Sequence, residues 1–195
     1  MKKLIAVALA AVSLIALSGC ANDPLANQFK AGDNKNYIAG DGTVSEFAAA
    51  NRGKAIYWQG NTESGGLLKS SQLTGVVVVM NFWYAGCAPC RAEAPDLVAL
   101  NKEFTGKKVQ FVGVNVRDTA ATALAFARKF NILWPSVIDA TSGSVLMSFT
   151  GVVTPQAVPT TLVIDGQGRV SARILGRLEK GTLKALINTA VSENK

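Results

Sequence analysis

Histidine is missing from all 195 residues, cysteine occurs only three times, and charged side chains make up just 17% of the chain. Without imidazole there is no Ser-His or Cys-His nucleophile pair, no histidine-based zinc or copper site and no histidine haem ligand. Three cysteines cannot complete a four-thiolate zinc or iron–sulfur site within one chain. What remains is 49% hydrophobic, too apolar for an intrinsically disordered chain and long enough for one domain with its own core. The net charge is +7, but the basic residues are dispersed and form no stripe of the kind that tracks a nucleic acid.

The first residues are set apart by composition. Lys2 and Lys3 precede an apolar run from Leu4 to Leu17 broken only by Ser13, and Leu17-Ser18-Gly19-Cys20 follows. A charged start, an apolar stretch and a small-residue cleavage site describe an export signal, and the run is short of the ~20 residues that span a bilayer. The Leu-Ser-Gly-Cys ending resembles the lipobox of bacterial lipoproteins. That resemblance implies a signal peptide over 1–19 and lipidation of Cys20 as the mature N-terminus. Residues 20–36 are polar and turn-rich and are expected to be a flexible tether, leaving 37–195 as the folded domain.

Within that domain Val76 to Trp83 is a continuous apolar, β-branched run, the pattern of a strand buried on both faces. Pro89 to Phe104 has the spacing of an amphipathic helix, with Pro95 predicting a kink. Val109–Val116 reads as a second strand, so the three form a βαβ crossover. Thr119–Phe130 reads as a helix, and Trp134–Phe149 as an inserted unit with a strand at Ser136–Asp139 and a short helix from Ser142. Thr160–Asp165 and Arg169–Leu175 flank Gly166-Gln167-Gly168 as a hairpin, and Glu179–Val191 closes the chain as a helix. Upstream, Ala55–Gln59 and Leu67–Lys69 are expected to pair as a hairpin capping a sheet edge. The expected fold class is α/β, a mixed central sheet with helices on both faces, an N-terminal β-hairpin and a central insertion.

With Cys20 assigned to lipid, Cys87 and Cys90 are left as neighbours where the buried strand ends and the helix begins. Free N–H groups and the positive end of the helix dipole stabilise a thiolate there, which makes Cys87 the natural attacking group. The spacing brings the two Cα atoms to about 5.5 Å, a bridging distance. Pro89 suits the first helical turn and lacks an N–H the helix has no use for. A bridge over so short a loop contributes only about 2 kcal/mol as a staple, so a redox pair explains the spacing better than an inert disulfide.

The run Asn81-Phe82-Trp83-Tyr84-Ala85-Gly86-Cys87-Ala88-Pro89-Cys90-Arg91-Ala92-Glu93-Ala94-Pro95, followed downstream by Val158-Pro159-Thr160-Thr161-Leu162-Val163-Ile164-Asp165, resembles the TlpA/ResA/DsbE-like family of thioredoxin-fold proteins. The resemblance covers roughly Tyr37 to Val191. It implies a thioredoxin-like fold and thiol–disulfide exchange at the outer face of the bacterial cytoplasmic membrane, with no cofactor. It further implies that Cys87 attacks and Cys90 resolves, and that Pro159 is a cis-proline facing the bridge. The Val158 backbone would pair with a bound peptide, and Glu93 would assist proton transfer at Cys90. Glu93 takes that part because Asn81 stands where cytosolic thioredoxins keep a buried acid. Family members commonly carry Trp just before the first cysteine; here Gly86 stands there, and Tyr84 is the candidate to cover the gap and meet substrate.

The partners so implied are exported protein thiols or disulfides, among them apocytochrome c in cytochrome c maturation, a membrane redox partner, and the bilayer through Cys20. Electron flow is open between a reductant and an oxidant of exported thiols. The lack of a histidine between the cysteines removes one source of thiolate stabilisation and favours the reductant. A peroxiredoxin-like peroxide reductase is disfavoured because Tyr84 stands where such sites carry Thr or Ser three residues before the cysteine. A non-catalytic thiolate metallochaperone lacks the histidine ligand that related copper proteins add.

Overall fold

The computed structural model describes residues 37–38, 44–154 and 157–194. The export signal, Cys20 and the tether up to residue 36 lie outside the described residues. Nine strands and four α-helices are described: β1 (Tyr37–Ile38), β2 (Val44–Glu46), β3 (Gln59–Asn61), β4 (Leu67–Lys69), β5 (Val77–Trp83), α1 (Ala88–Glu103), β6 (Val109–Asn115), α2 (Ala120–Phe130), β7 (Ser136–Ile138), α3 (Ser144–Ser148), β8 (Thr160–Ile164), β9 (Val170–Leu175) and α4 (Lys180–Glu193). Seven strands form one mixed sheet in the order β1-β2-β9-β8-β5-β6-β7, while β3 and β4 form a separate hairpin. β5 is central, parallel to β6 and antiparallel to β8, and every one of its seven residues is buried.

Strand alternation divides the core. Val77 and Val79 of β5 pack with Leu97 and Leu100 of α1, with Phe104 at its C-cap, and with Leu183 and Ile187 of α4. Val78, Met80 and Phe82 point the other way, into a layer with Trp58, Val145 of α3 and Phe149. Helices therefore cover both faces, the long α1 and α4 on one and the short α3 on the other. α1 runs from Ala88 through Pro95 to Glu103. Thr119 caps α2 by accepting a bond from the Thr122 N–H, and Asn131 ends it in the left-handed conformation.

Two expectations need correcting. The upstream hairpin begins at Gln59, not Ala55, because Ile56 and Trp58 are drawn into the second core layer. It does meet the sheet edge: Thr62 bridges Val137 of β7, and Gly60 approaches so closely that a Cβ there would stand 2.3 Å from the Val137 side chain. The inserted strand stops at Ile138, and Asp139 instead accepts backbone N–H bonds from Val145 and Leu146 at the start of α3.

Candidate active site

β5 ends in Trp83 and passes through a tight turn, in which the Cys87 N–H bonds the Tyr84 carbonyl, into α1. Cys87 is the N-cap of that helix. Its sulfur accepts the Cys90 N–H at 3.2 Å, so an orphan donor of the first turn already points at the candidate attacking atom. Cys87 and Cys90 are joined as a disulfide with Cα atoms 5.2 Å apart. Each cysteine is only 3% exposed. Cys87 is thus more covered than a helix start alone implies, because Tyr84, Ala85 and Val158 pack against the bridge. The cover is thin: Gly86, Ala88 and Pro89 beside it are all exposed.

The downstream loop closes the site. The Val158–Pro159 peptide is cis, and the Val158 carbonyl oxygen lies 4.0 Å from Cys87 Sγ. Tyr84 flanks the bridge with the Arg117 guanidinium 4.3 Å over its ring. Outside its chain neighbours, a Cβ on Gly86 would meet that ring, at 3.6 Å. Trp83 is core, packed on Phe126 at 4.4 Å between centroids, with its indole N–H donated to Ser136 Oγ. Gly113 makes that bond possible: a Cβ there would stand 2.1 Å from Ser136 Oγ. A small cavity behind the bridge is lined by Asn81, Trp83, Cys90, Phe126 and Ser136 among others.

Glu93 lies one turn past Cys90 and is completely buried. Its carboxylate accepts from Asn81 Nδ2 at 2.9 Å and from the Leu178 N–H at 3.1 Å, and Asn81 also donates to Thr161 Oγ1. Burial pushes its pKa up to about 7 and the two hydrogen bonds only partly offset this. The alternative of a solvated first-turn carboxylate is excluded. The buried amide at Asn81 does not titrate; it holds the acid that does.

Sequence reasoning did not single out Asp118. Its carboxylate accepts the Ala85 N–H at 2.6 Å and Asn115 Nδ2 at 2.8 Å, directly beside the turn that carries Cys87. The available signal was Asn115-Val116-Arg117-Asp118 at the end of a buried strand, an Asx pattern at a strand C-terminus. Among the described residues there is no cluster of three or more metal-binding side chains, and no helix is long and apolar enough to cross a membrane.

Comparison with known proteins bears directly on this arrangement. The AhpC/TSA family model matches residues 52–173, which include both cysteines, Glu93 and Pro159. The chain belongs to that family. It is 32% identical to the thiol:disulfide interchange protein HelX of Rhodobacter capsulatus over 58% of this chain and 60% of HelX. It is 30% identical to the thiol-disulfide oxidoreductase ResA of Bacillus subtilis over 64% of this chain and 67% of ResA. The crystal structure of a secreted thiol-disulfide isomerase from Corynebacterium glutamicum superposes with a TM-score of 0.72 at 26% identity, covering 83% of this chain and 99% of that one. The fold is thioredoxin-like, and the TlpA/ResA/DsbE-like resemblance read from the motifs is borne out by matches to HelX, ResA and a DsbE-type structure.

Proposed function

We propose that this chain is a thiol–disulfide oxidoreductase working outside the cytoplasm. Residues 1–19 serve as its signal peptide, 20–36 as its tether and 37–195 as its thioredoxin-like domain, with a lipid on Cys20 holding it to the membrane. One observation carries the chemistry: a two-cysteine bridge at a helix N-terminus, with a backbone N–H on Cys87 Sγ and the Val158–Pro159 peptide beside it.

In the reduced protein the Cys87 thiolate attacks one sulfur of a client disulfide. The client S–S bond breaks, a mixed disulfide forms, and the leaving client thiolate takes up a proton. Cys90 then gives up its proton and attacks Cys87 Sγ; the second client thiol leaves and the Cys87–Cys90 bridge forms, two electrons having passed to the client. Glu93, buried on the same helix and with its pKa near neutrality, is suited to receive the Cys90 proton. The Val158 backbone pairs with the client chain and the Tyr84 ring contacts it. No metal or organic cofactor is needed to balance these steps.

The clients are exported proteins, apocytochrome c among them, and a membrane redox partner returns the electrons. Net flow is toward the client, because no imidazole lies between the cysteines to add to thiolate stabilisation. Equilibration with glutathione tests the direction: a couple more reducing than glutathione supports the reductant, and a more oxidising one supports the oxidant instead. Stoichiometric copper binding by the reduced protein without exchange would favour a metallochaperone.

A further inference from the structure

The turn that carries Cys87 is short, and both backbone polar groups of Ala85 within it are held by charged side chains. Tyr84 to Cys87 closes as a turn through the Cys87 N–H on the Tyr84 carbonyl, placing Ala85 and Gly86 in the centre. Gly86 brings no side chain to anchor the turn and is exposed. The anchoring falls on Ala85: its N–H is accepted by Asp118 Oδ2 at 2.6 Å, and its carbonyl accepts Arg91 Nη1 at 3.1 Å. Arg91 stands on the first turns of the same helix, but Asp118 reaches across from the loop after β6.

Asp118 is itself fixed. Asn115 at the end of β6 is fully buried; its Oδ1 accepts the N–H groups of Arg117 and Asp118, and its Nδ2 donates to Asp118 Oδ2. The chain of bonds therefore runs from the sheet, through Asn115 and Asp118, to the peptide two residues before the sulfur. A charge-assisted bond of this length is among the stronger single hydrogen bonds a surface turn can make.

We infer that Asp118 is a positioning residue of the exchange reaction: by holding the Ala85 N–H against the end of β6, it fixes the Tyr84–Cys87 turn and aims Cys87 Sγ along the line of attack. This inference rests on the thiol–disulfide reading of the site and adds to it a residue that touches neither cysteine. Disulfide exchange needs the attacking sulfur in line with the bond it breaks, so a loosened turn lowers the rate of the thiolate itself and not merely the fraction ionised.

The test is the rate at which the reduced full-length protein consumes glutathione disulfide, followed against pH up to its alkaline plateau. The plateau reports the fully ionised thiolate, so it separates aim from ionisation. Asp118→Ala is expected to lower the plateau about tenfold, with the amount of reacting protein and the melting curve showing that it is folded. Asp118→Asn keeps an acceptor oxygen for Ala85 and is expected to stay within about twofold of wild type. If Asp118→Ala does not fold, Asp118→Ser, whose hydroxyl stops short of Ala85, is read in its place. A plateau in Asp118→Ala or its Ser substitute equal to that of wild type overturns the assignment, as does Asp118→Asn falling as far as the shorter variant. Wild-type protein that leaves glutathione disulfide unreduced refutes the exchange reading, a different result from either.

Discussion

Glu93 and Asp165 are both carboxylates almost without exposed surface, yet their partners differ in kind. Asp165, in the turn after β8, is met by two guanidiniums: Arg52 Nη1 at 3.1 Å and Arg169 Nε and Nη2 at 2.9 Å on the same oxygen. Its other oxygen accepts the N–H groups of Gln167 and Arg169. Burial alone would raise its pKa, but these donors outweigh it and hold the carboxyl below its ordinary value. Arg52 also pairs with Glu193 at the end of α4, so the group ties three parts of the chain together. Glu93 receives one side-chain amide and one backbone N–H, the charge of Arg177 adds less than either, and burial prevails. Direct contact with two guanidiniums outweighs burial at Asp165; at Glu93 two hydrogen bonds and the more distant charge of Arg177 do not.

The comparison breaks most visibly at Asp165. Asp165→Asn leaves one acceptor for the turn but sets an NH2 group against the two guanidiniums, and is expected to cost about 3–5 kcal/mol in denaturant unfolding while leaving the exchange rate unchanged. A loss of exchange in the folded variant would erase the contrast between the two acids.

A smaller effect is expected from Glu93, with the opposite dependence on pH. Its folded pKa lies above the unfolded value, so its contribution to stability is complete below about 4.5 and is lost as pH rises through about 7. The loss amounts to about 3 kcal/mol, and Glu93→Gln should abolish that slope. Asp165 contributes in the other sense, its share being present above the unfolded value and lost on acidification. The same Glu93→Gln variant should lose the inflection near pH 7 in the resolving step. An unchanged slope and an unchanged rate profile would remove Glu93 from the proton path.

The sequence made some of this readable because its signals were local. The apolar run at β5, the hairpin at β8 and β9 and the cysteine pair at a strand-to-helix junction each depend on neighbours in the chain, and all three were found where expected. β1 and β2 were not foreseen: they are two and three residues long and take their place by pairing beside β9, far along the chain. Trp58 has strand propensity but is drawn into the core ahead of the hairpin, which moved the expected start to Gln59. The burial of Glu93 was beyond a helical-face argument, since the N–H that caps it comes from Leu178, 85 residues away. Asp118 escaped notice for the same reason, its contact with Ala85 spanning 33 residues.

The most direct test of the central claim is trapping. Reduced Cys90→Ser protein, offered oxidised client proteins from the cell envelope, should accumulate mixed disulfides that are released by reductant and map to Cys87, while Cys87→Ser should accumulate none. Equal trapping by both variants, or by neither, would contradict the assignment of Cys87 as the attacking sulfur.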